Sequence, residues 1–239
     1  MKILFLLPPS EWKNSDNLYE KESLSFDFNK PYDIWISATQ KDLKCSWTRY
    51  EEWIELNKNI LSWWTIESIK RYTGVMYNAI DYFWMSEDWK KYFDNNFLIL
   101  SWMYWLVKPQ DKIGNYKLPI ETKWLYDYWS LDIAKKISLL EYDVVVNLLP
   151  ISYAKLLWLW TKSSKYKENL DIIIQSWKKV VNINFLKDDW NKVSHWVKKI
   201  KWEWIKNICE NSIDDIKNFS WEIIKLWENF YDINIKVKK

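Results

Sequence analysis

Glycine is almost absent from this chain: two of its 239 residues are glycine, and tryptophan occurs 21 times. An average soluble protein of this length has roughly 17 glycines, and tryptophan is normally rare. Turns with positive φ, helix C-caps and close backbone approaches usually depend on glycine. The glycine deficit and the tryptophan excess are of similar size. We therefore ask whether one residue type stands in the place of the other.

Several tryptophans lie where glycine is expected. Trp190 follows Asp-Asp between two predicted strands, and Asp-Gly is the strongest hairpin signal at such a place. Trp63 and Trp64 follow a helical pattern and precede Thr65, a candidate N-cap. Our hypothesis is that many tryptophans are encoded by UGA codons that the source organism translates as glycine.

The rest of the composition suits this hypothesis. Lys, Asn, Ile and Tyr are abundant and Arg49 and Arg71 are the two arginines, which is typical of an AT-rich genome. The alternative is a genuinely tryptophan-rich protein with stacking platforms for sugars or single-stranded nucleic acid. UGG codons at Trp102, Trp105 and Trp190 would contradict the hypothesis.

Cysteine and histidine are also scarce. Cys45 and Cys209 are far apart, no CxxC motif is present, and His195 is the single histidine, so no convincing zinc or iron site is predicted. Two cysteines suggest a reducing compartment. The apolar run 3–7 is too short for a signal peptide, and no stretch approaches the roughly 18 apolar residues of a membrane span. We expect a cytoplasmic chain without a membrane partner.

The motifs of common cofactor and catalytic sites are absent as well. No P-loop, dinucleotide fingerprint, nucleophile elbow or HExxH appears, even with glycine substituted for every tryptophan. We therefore predict no cofactor. The net charge of +3 is too small by itself to indicate nucleic acid binding.

What the chain does contain is a series of apolar runs interleaved with helical patterns. Buried strands are predicted at 2–7, 96–101 and 142–149, helices at 125–141 and up to Lys91, and helical periodicity at 39–70. A strand meander is predicted from 170 with a hairpin at 188–191, followed by a basic helix at 197–211 and a last strand from 230. This pattern favours a mixed α/β (α+β) single domain, 1–239, with a mostly buried central sheet and flanking helices.

Polar residues follow the first predicted strand. Ser10, Glu11 and Lys13 lie just beyond its carboxyl end, the edge where open α/β sheets bind ligands. Arg71 opens the segment "RYTG" with Gly74. It is either a planar bidentate donor for an anion or a structural capping or ion-pairing group.

The basic helix leaves two interpretations open. Lys198, Lys199 and Lys201 lie at its start, directly after a predicted strand, where helix N–H groups and lysines can bind phosphate. A solvated basic face is the alternative. His195 is a candidate catalytic base or a locally hydrogen-bonded residue.

The order of motifs resembles the YaaA family of peroxide stress proteins. "LPPSEWK", ending at Lys13, is similar to the family's "LPPSEGK", and "RYTGVMYNAIDY" to "RYTGVLYDALDY". "LSWMYWLVKPQDKIGNYKL" is similar to "LSGLYGLVRPLDLIQPYRL". "LYDYWSLDI", "VVVNLLPISYAKLL" and "KVSHWVKKIKWEWIKNICEN" have counterparts in the same order. The resemblance covers essentially the whole chain.

Tryptophans fall on family glycines in these motifs. Trp12, Trp102, Trp105 and Trp202 each do so, whereas Trp129 matches a family tryptophan and is expected to be a true one. Residues 39–65 match poorly. The helix-hairpin-helix that the resemblance implies would therefore need a glycine at Trp63 or Trp64 in "LSWWTIES".

The resemblance implies a positively charged cleft, a role in resisting hydrogen peroxide by limiting iron-dependent damage, and binding to duplex or branched DNA. No obligatory protein partner is inferred. The expected phosphate contacts are Lys13, Arg71, Lys108, Lys198, Lys199 and Lys201. The other candidates for the cleft are Ser10, Glu11, Tyr72, Thr73, Gly74, Ser101, Tyr104, Tyr116, Asn147, Ser194 and His195.

Two rival functions remain at this point. The first is an enzyme acting on a phosphorylated or nucleotide substrate, with Ser10, Glu11, Arg71, Tyr104, Asn147 and His195 converging in one closed pocket. The second is an iron-binding protein, for which the ligands are scattered carboxylates, one histidine and two cysteines.

Overall fold

The computed structural model describes most of the chain. The described residues are 1–29, 31–43, 45–60, 64–119, 122, 124–157, 167–176, 178–186, 205, 221–227 and 230–236.

Nine strands and nine α-helices are assigned within these residues. The strands are β1 Ile3–Leu7, β2 Ile66–Glu67, β3 Phe97–Ser101, β4 Trp105–Val107, β5 Lys112–Ile113, β6 Val144–Asn147, β7 Lys179–Leu186, β8 Trp221–Trp227 and β9 Phe230–Lys236. The helices are α1 Tyr32–Ser37, α2 Gln40–Leu43, α3 Trp47–Asn59, α4 Ser68–Arg71, α5 Val75–Ile80, α6 Glu87–Asn96, α7 Leu125–Leu139, α8 Ile151–Ala154 and α9 Lys167–Gln175. Short 3-10 helices span Tyr82–Trp84 and Lys155–Leu157.

A seven-stranded sheet in the order β4-β3-β1-β6-β7-β9-β8 forms the centre of the fold. The five inner strands are parallel, and the two edge strands, β4 and β8, are antiparallel to their neighbours. Every residue of β1, β3 and β6 is buried, as expected for parallel strands covered on both faces. The mixed α/β fold with a mostly buried sheet is therefore confirmed.

The strand order places a switch point beside β1. The chain leaves β1 towards β3 on one side and returns to β6 on the other. Crevices at the carboxyl ends of such strands are the usual ligand sites of open α/β sheets. Phe5 of β1 stacks on Phe97 of β3 at 4.6 Å between ring centroids and helps to fix this part of the sheet.

The polar segment after β1 is held by a second, two-stranded sheet. β2 and β5 pair antiparallel through Ile66 and Ile113. Isolated bridges join Lys13 to Tyr72, Tyr19 to Thr65 and Ser23 to Lys112. The polar segment is thus fixed in position by backbone hydrogen bonds.

Residues 170–175 correct one prediction. The run of isoleucines from Ile172 to Ile174 was expected to be a strand, but it lies in α9. Leu170 and Ile173, three residues apart, are buried, and α9 packs against α7. Because β6 and β7 are parallel, the chain between them must cross back over the sheet, and α9 is part of that crossover.

The helical periodicity at 39–70 is confirmed only as far as Asn59, where α3 ends. Thr65 forms a bridge, β2 follows, and α4 has four residues. Residues 61–63 lie outside the described part of the chain, as do the predicted hairpin at 188–191 and, apart from Ile205, the basic helix. The helix-hairpin-helix therefore stays a prediction. No helix among the described residues is long and apolar enough to cross a membrane.

Candidate functional site

A cavity of about 460 Å³ lies at the carboxyl edge of the sheet. Ser10 and Lys13 line it from the segment after β1, Trp102 from the turn after β3, and Tyr153 from α8 after β6. The cavity therefore lies at the switch point of the strand order, where the fold itself predicts a ligand.

The cavity has more cationic than anionic side chains in its lining. Lys13, Lys117 and Arg49 face it together with Glu11 and Glu52. Arg49 is exposed, and the two lysines are partly exposed. Lys117 Nζ donates a hydrogen bond to the backbone oxygen of Glu11 at 3.0 Å, which holds the ammonium group beside the first loop.

The surroundings of Lys13 change its pKa. Its Nζ donates to the Ser10 backbone oxygen at 2.9 Å and lies 4.2 Å from the centre of the Tyr116 ring. Burial, and secondarily the charge of Lys117, lower the pKa of Lys13 to about 7. Its amine therefore changes charge close to neutral pH, and an anion bound beside it would favour the protonated form.

A hydroxyl network supports the floor of the cavity. The Tyr116 hydroxyl is 2.9 Å from the Tyr72 hydroxyl and 2.8 Å from Ser101 Oγ, which accepts a hydrogen bond from the Tyr104 backbone N–H. These side chains are buried, and burial raises the pKa of both Tyr72 and Tyr116 well above the usual value. The tyrosines stay protonated and position one another. Of this group, Tyr116 lines the cavity.

Tyr104 points away from the cavity into another set of contacts. Its hydroxyl donates to Glu22 Oε1 at 2.6 Å and accepts from the Gly114 N–H at 2.9 Å. Burial raises the pKa of Tyr104 well above its usual value. The Tyr104 hydroxyl thus links the β3–β4 turn to the segment that contains Glu22.

Gly74 is adjacent to the cavity and has a positive φ of 104°. A Cβ atom added there would lie 3.3 Å from Ser10 Oγ, so a side chain would be both strained and crowded. Thr73 donates its backbone N–H to the Trp12 oxygen at 3.0 Å. The "RYTG" segment thus fixes the backbone of the first loop rather than offering its own side chains.

Arg71 occupies the structural role that the sequence left open. Its guanidinium donates to the backbone oxygens of Asn14 and Ile113 and to Asn17 Oδ1. Burial lowers its pKa to about 10, so the group remains charged at neutral pH. Its side chain is fully buried and its donors are used within the protein.

Asn147 is likewise engaged by its neighbours. Its Nδ2 donates to Asn182 Oδ1 at 2.9 Å, and its Oδ1 accepts from the Leu149 N–H. Asn182 Nδ2 in turn donates to Asp232 Oδ1 at 3.0 Å. This amide ladder (Asn147, Asn182 and Asp232) crosses the neighbouring strands β6, β7 and β9 in register.

The remaining predicted residues fall into two groups. Lys108 lies in the turn up to Asp111, whose carboxylate accepts the Lys108 N–H at 2.8 Å, and it does not line the cavity. Five predicted residues lie outside the described part of the chain: Ser194, His195, Lys198, Lys199 and Lys201.

Sequence reasoning missed Arg49 and Lys117. Arg49 comes from α3, the region that matched the resemblance poorly, although its rarity was a signal. Lys117 follows Tyr116 in the motif "GNYKL", and the motif itself was the signal for it. Of the six residues expected to converge in a closed pocket, Ser10 and Glu11 line the cavity; Arg71, Tyr104 and Asn147 do not, and His195 lies outside the described residues. No group of three or more potential metal ligands occurs in this part of the chain.

Comparisons with known proteins agree with the motifs. The family model described as "Peroxide stress protein YaaA" matches residues 1–226. A UPF0246 protein of Fusobacterium nucleatum is 25% identical over 98% of this chain and 94% of its own length. A UPF0246 protein of Clostridioides difficile is 30% identical over 68% of this chain and 65% of its own length. The chain belongs to the YaaA family of peroxide stress proteins.

Proposed function

We propose that this protein binds DNA during hydrogen peroxide stress and does so through phosphate contacts at the cavity. The observation that carries the proposal is the convergence of Lys13, Lys117 and Arg49 on one cavity at the switch point of the sheet. Phosphate contacts supply most of the sequence-independent affinity for DNA. The family supplies the peroxide-stress context.

The arrangement favours backbone contacts over base recognition. The three cations come from separate segments around a concavity. Arg49 lies on α3, which is long enough to enter a major groove, whereas Lys13 and Lys117 are not on helices. Phosphate contacts position a protein on DNA without carrying sequence information. We therefore expect weak sequence preference, for duplex and branched DNA alike.

Salt dependence tests the proposal. With three phosphate contacts, the affinity for a labelled duplex should fall roughly 40-fold between 50 and 200 mM salt, because each contact adds about 0.9 to the slope of log K against log salt. Fluorescence anisotropy measures this directly. An affinity that does not change over this range would refute DNA binding by phosphate contacts.

Matched variants locate the contacts. Lys13→Met, Arg49→Gln and Lys117→Gln should each weaken binding and lower the salt slope by about one. Lys91→Gln is the control, because Lys91 is exposed on α6 and does not line the cavity. Equal losses for Lys91→Gln and the cavity variants would place binding elsewhere.

One observation favours a second candidate function, an enzyme acting on a phosphorylated or nucleotide substrate. The cavity has the volume of a small-molecule site, and Lys13 presents an amine with a pKa of about 7 inside it. Calorimetric titration with nucleoside monophosphates distinguishes the two candidates. Saturable binding that Lys13→Met abolishes, without duplex binding, would support the enzyme.

A further inference from the structure

The backbone of the described residues has three non-glycine positions with positive φ: Asp81 at 54°, Trp105 at 64° and Trp124 at 73°. Aspartate tolerates this conformation because its short side chain hydrogen-bonds locally. For a bulky residue such as tryptophan it is a genuine outlier. Two of the three positions therefore have a backbone that glycine adopts without strain.

The turn at Trp105 has a specific geometry. Ser101 pairs with Trp105 across the antiparallel strands β3 and β4, which leaves a three-residue loop at 102–104. Trp105, the residue that follows this loop, has the left-handed backbone for which glycine is the usual choice. The sequence motif and the backbone thus identify the same position independently.

The side chain of Trp102, in that loop, does not suit its surroundings. The indole N–H groups of Trp102 and Trp105 are buried and have no hydrogen-bond partner among the described residues. Buried donors nearly always have partners. Trp129, which packs nearly parallel to Trp105 at 6.3 Å, donates its indole N–H to the Trp102 backbone oxygen at 2.8 Å. Trp129 also lies within helix α7, a regular position for a real tryptophan.

We propose that the protein made in its own cell carries glycine at positions 102, 105 and 124 and tryptophan at 129, because the UGA codons at the first three are translated as glycine. Position 124, which directly precedes α7 at φ 73° and ψ −16°, is assigned by its backbone alone. Trp63, Trp190 and Trp202, which the sequence placed in the same class, lie outside the described residues.

Glycine at 102 changes the site. The Trp102 indole lines the cavity and packs against Tyr126 and Tyr153, with ring centroids 5.5 and 5.2 Å away. Its removal deepens the cavity towards the β3–β4 turn and bares the backbone next to Ser101. The site in the cell is thus a deeper cleft beside Lys13 and Lys117, with more room for an anion.

Peptide mass spectrometry of the protein purified from its native source tests the assignment. Peptides covering 102, 105 and 124 should carry glycine, and the peptide covering 129 should carry tryptophan. The coding sequence should show UGA at the first three positions and UGG at the fourth. Tryptophan in the native peptides at 105 or 124 would overturn the proposal, whatever the DNA-binding result.

Variants of the tryptophan-bearing chain test the backbone argument. Trp124→Gly should raise the urea midpoint of unfolding, because the Trp124 side chain is largely exposed and the change relieves its left-handed backbone. Trp105→Gly should lower the midpoint less than Trp129→Gly, the matched control, because relief of the backbone at 105 offsets part of the packing that is lost. A lower midpoint for Trp124→Gly, or equal losses for Trp105→Gly and Trp129→Gly, would contradict the inference that these positions require glycine. Adding Trp102→Gly should increase the affinity for inorganic phosphate several-fold, and an unchanged affinity would refute the deeper anion site.

Discussion

Lys13 and Arg71 lie side by side in the fold and have opposite environments. Their segments are joined by the bridge between Lys13 and Tyr72 and by the hydrogen bond from the Asn14 N–H to the Arg71 oxygen at 2.8 Å. The Arg71 guanidinium is surrounded by protein acceptors. The Lys13 ammonium donates to Ser10 and otherwise meets two aromatic rings and the cavity.

The difference shows that Arg71 stabilises the fold, whereas Lys13 is able to bind a ligand. The fixed fork of arginine suits several simultaneous backbone acceptors. Lysine is a compact point charge whose pKa shifts readily on burial. Charge alone therefore does not identify a ligand-binding residue. A cation whose N–H donors are already bonded to protein oxygens is structural, and one with few such bonds can bind a ligand.

The largest expected effect is on stability. Arg71→Met should lower the free energy of unfolding by about 3 kcal/mol, because it leaves the buried oxygens of Asn14 and Ile113 without their donor. Lys13→Met should not lower it, since burial already disfavours the ammonium and an apolar side chain suits the site beside Tyr116. Urea unfolding followed by circular dichroism measures both, and equal losses would break the comparison.

The pH dependence of binding is the next effect in size. The protonated amine of Lys13 attracts phosphate, and with a pKa of about 7 its charge is lost as the pH rises through neutrality. DNA affinity should therefore fall up to about tenfold from pH 6 to 8. The profile of Lys13→Met should be flat over this range, whereas a wild-type slope retained in the variant would assign the titration to another group.

The lowered pKa of Lys13 also predicts how stability depends on pH, with the opposite sign to the pH dependence of DNA affinity. Lys13 is protonated in the unfolded chain up to its ordinary pKa of 10.5 and largely neutral in the folded protein above about pH 7. Between these values unfolding takes up a proton, so this residue makes the free energy of unfolding rise with pH. That rise should be smaller in Lys13→Met, and identical pH profiles of stability in the two proteins would contradict it.

The smallest effect concerns the hydroxyl network. Tyr116→Phe removes the bonds to Tyr72 and Ser101 but keeps the ring under Lys13, and it should cost about 1 kcal/mol of stability. DNA affinity should stay within about twofold, since a neutral hydroxyl bond contributes little to a phosphate contact. A large loss of affinity with intact stability would show that Tyr116 contacts the ligand through its hydroxyl.

The centre of the fold was predictable from the sequence for a physical reason. β1, β3 and β6 are buried on both faces, so their residues form continuous apolar runs with no competing pattern. Ile172–Ile174 forms the same kind of run but lies in a helix, in the crossover between two parallel strands, which is usually helical. Composition cannot separate these cases; only the pairing of distant strands does.

The site was predictable in part. Ser10, Glu11, Lys13 and Tyr116 were named from motifs and do line the cavity. Ser101, Tyr104 and Asn147 were named for the same reason, but their side chains bond to the protein itself. Arg49 reaches the cavity from α3 through the tertiary arrangement alone. A motif marks a segment that matters, whereas the direction of each side chain depends on the packing around it.

The amide ladder has a consequence for how the chain folds during its synthesis. The Asn182 side chain donates to Asp232, which is synthesised 50 residues later. In the sheet, β9 lies between β7 and β8, although β8 comes before β9 in the chain. A nascent chain that has emerged only as far as β7 lacks Asp232, the acceptor for the Asn182 side chain. β9, which follows β8 in the chain, therefore occupies an inner place in the sheet, so the edge of β7 stays open until translation has reached β9.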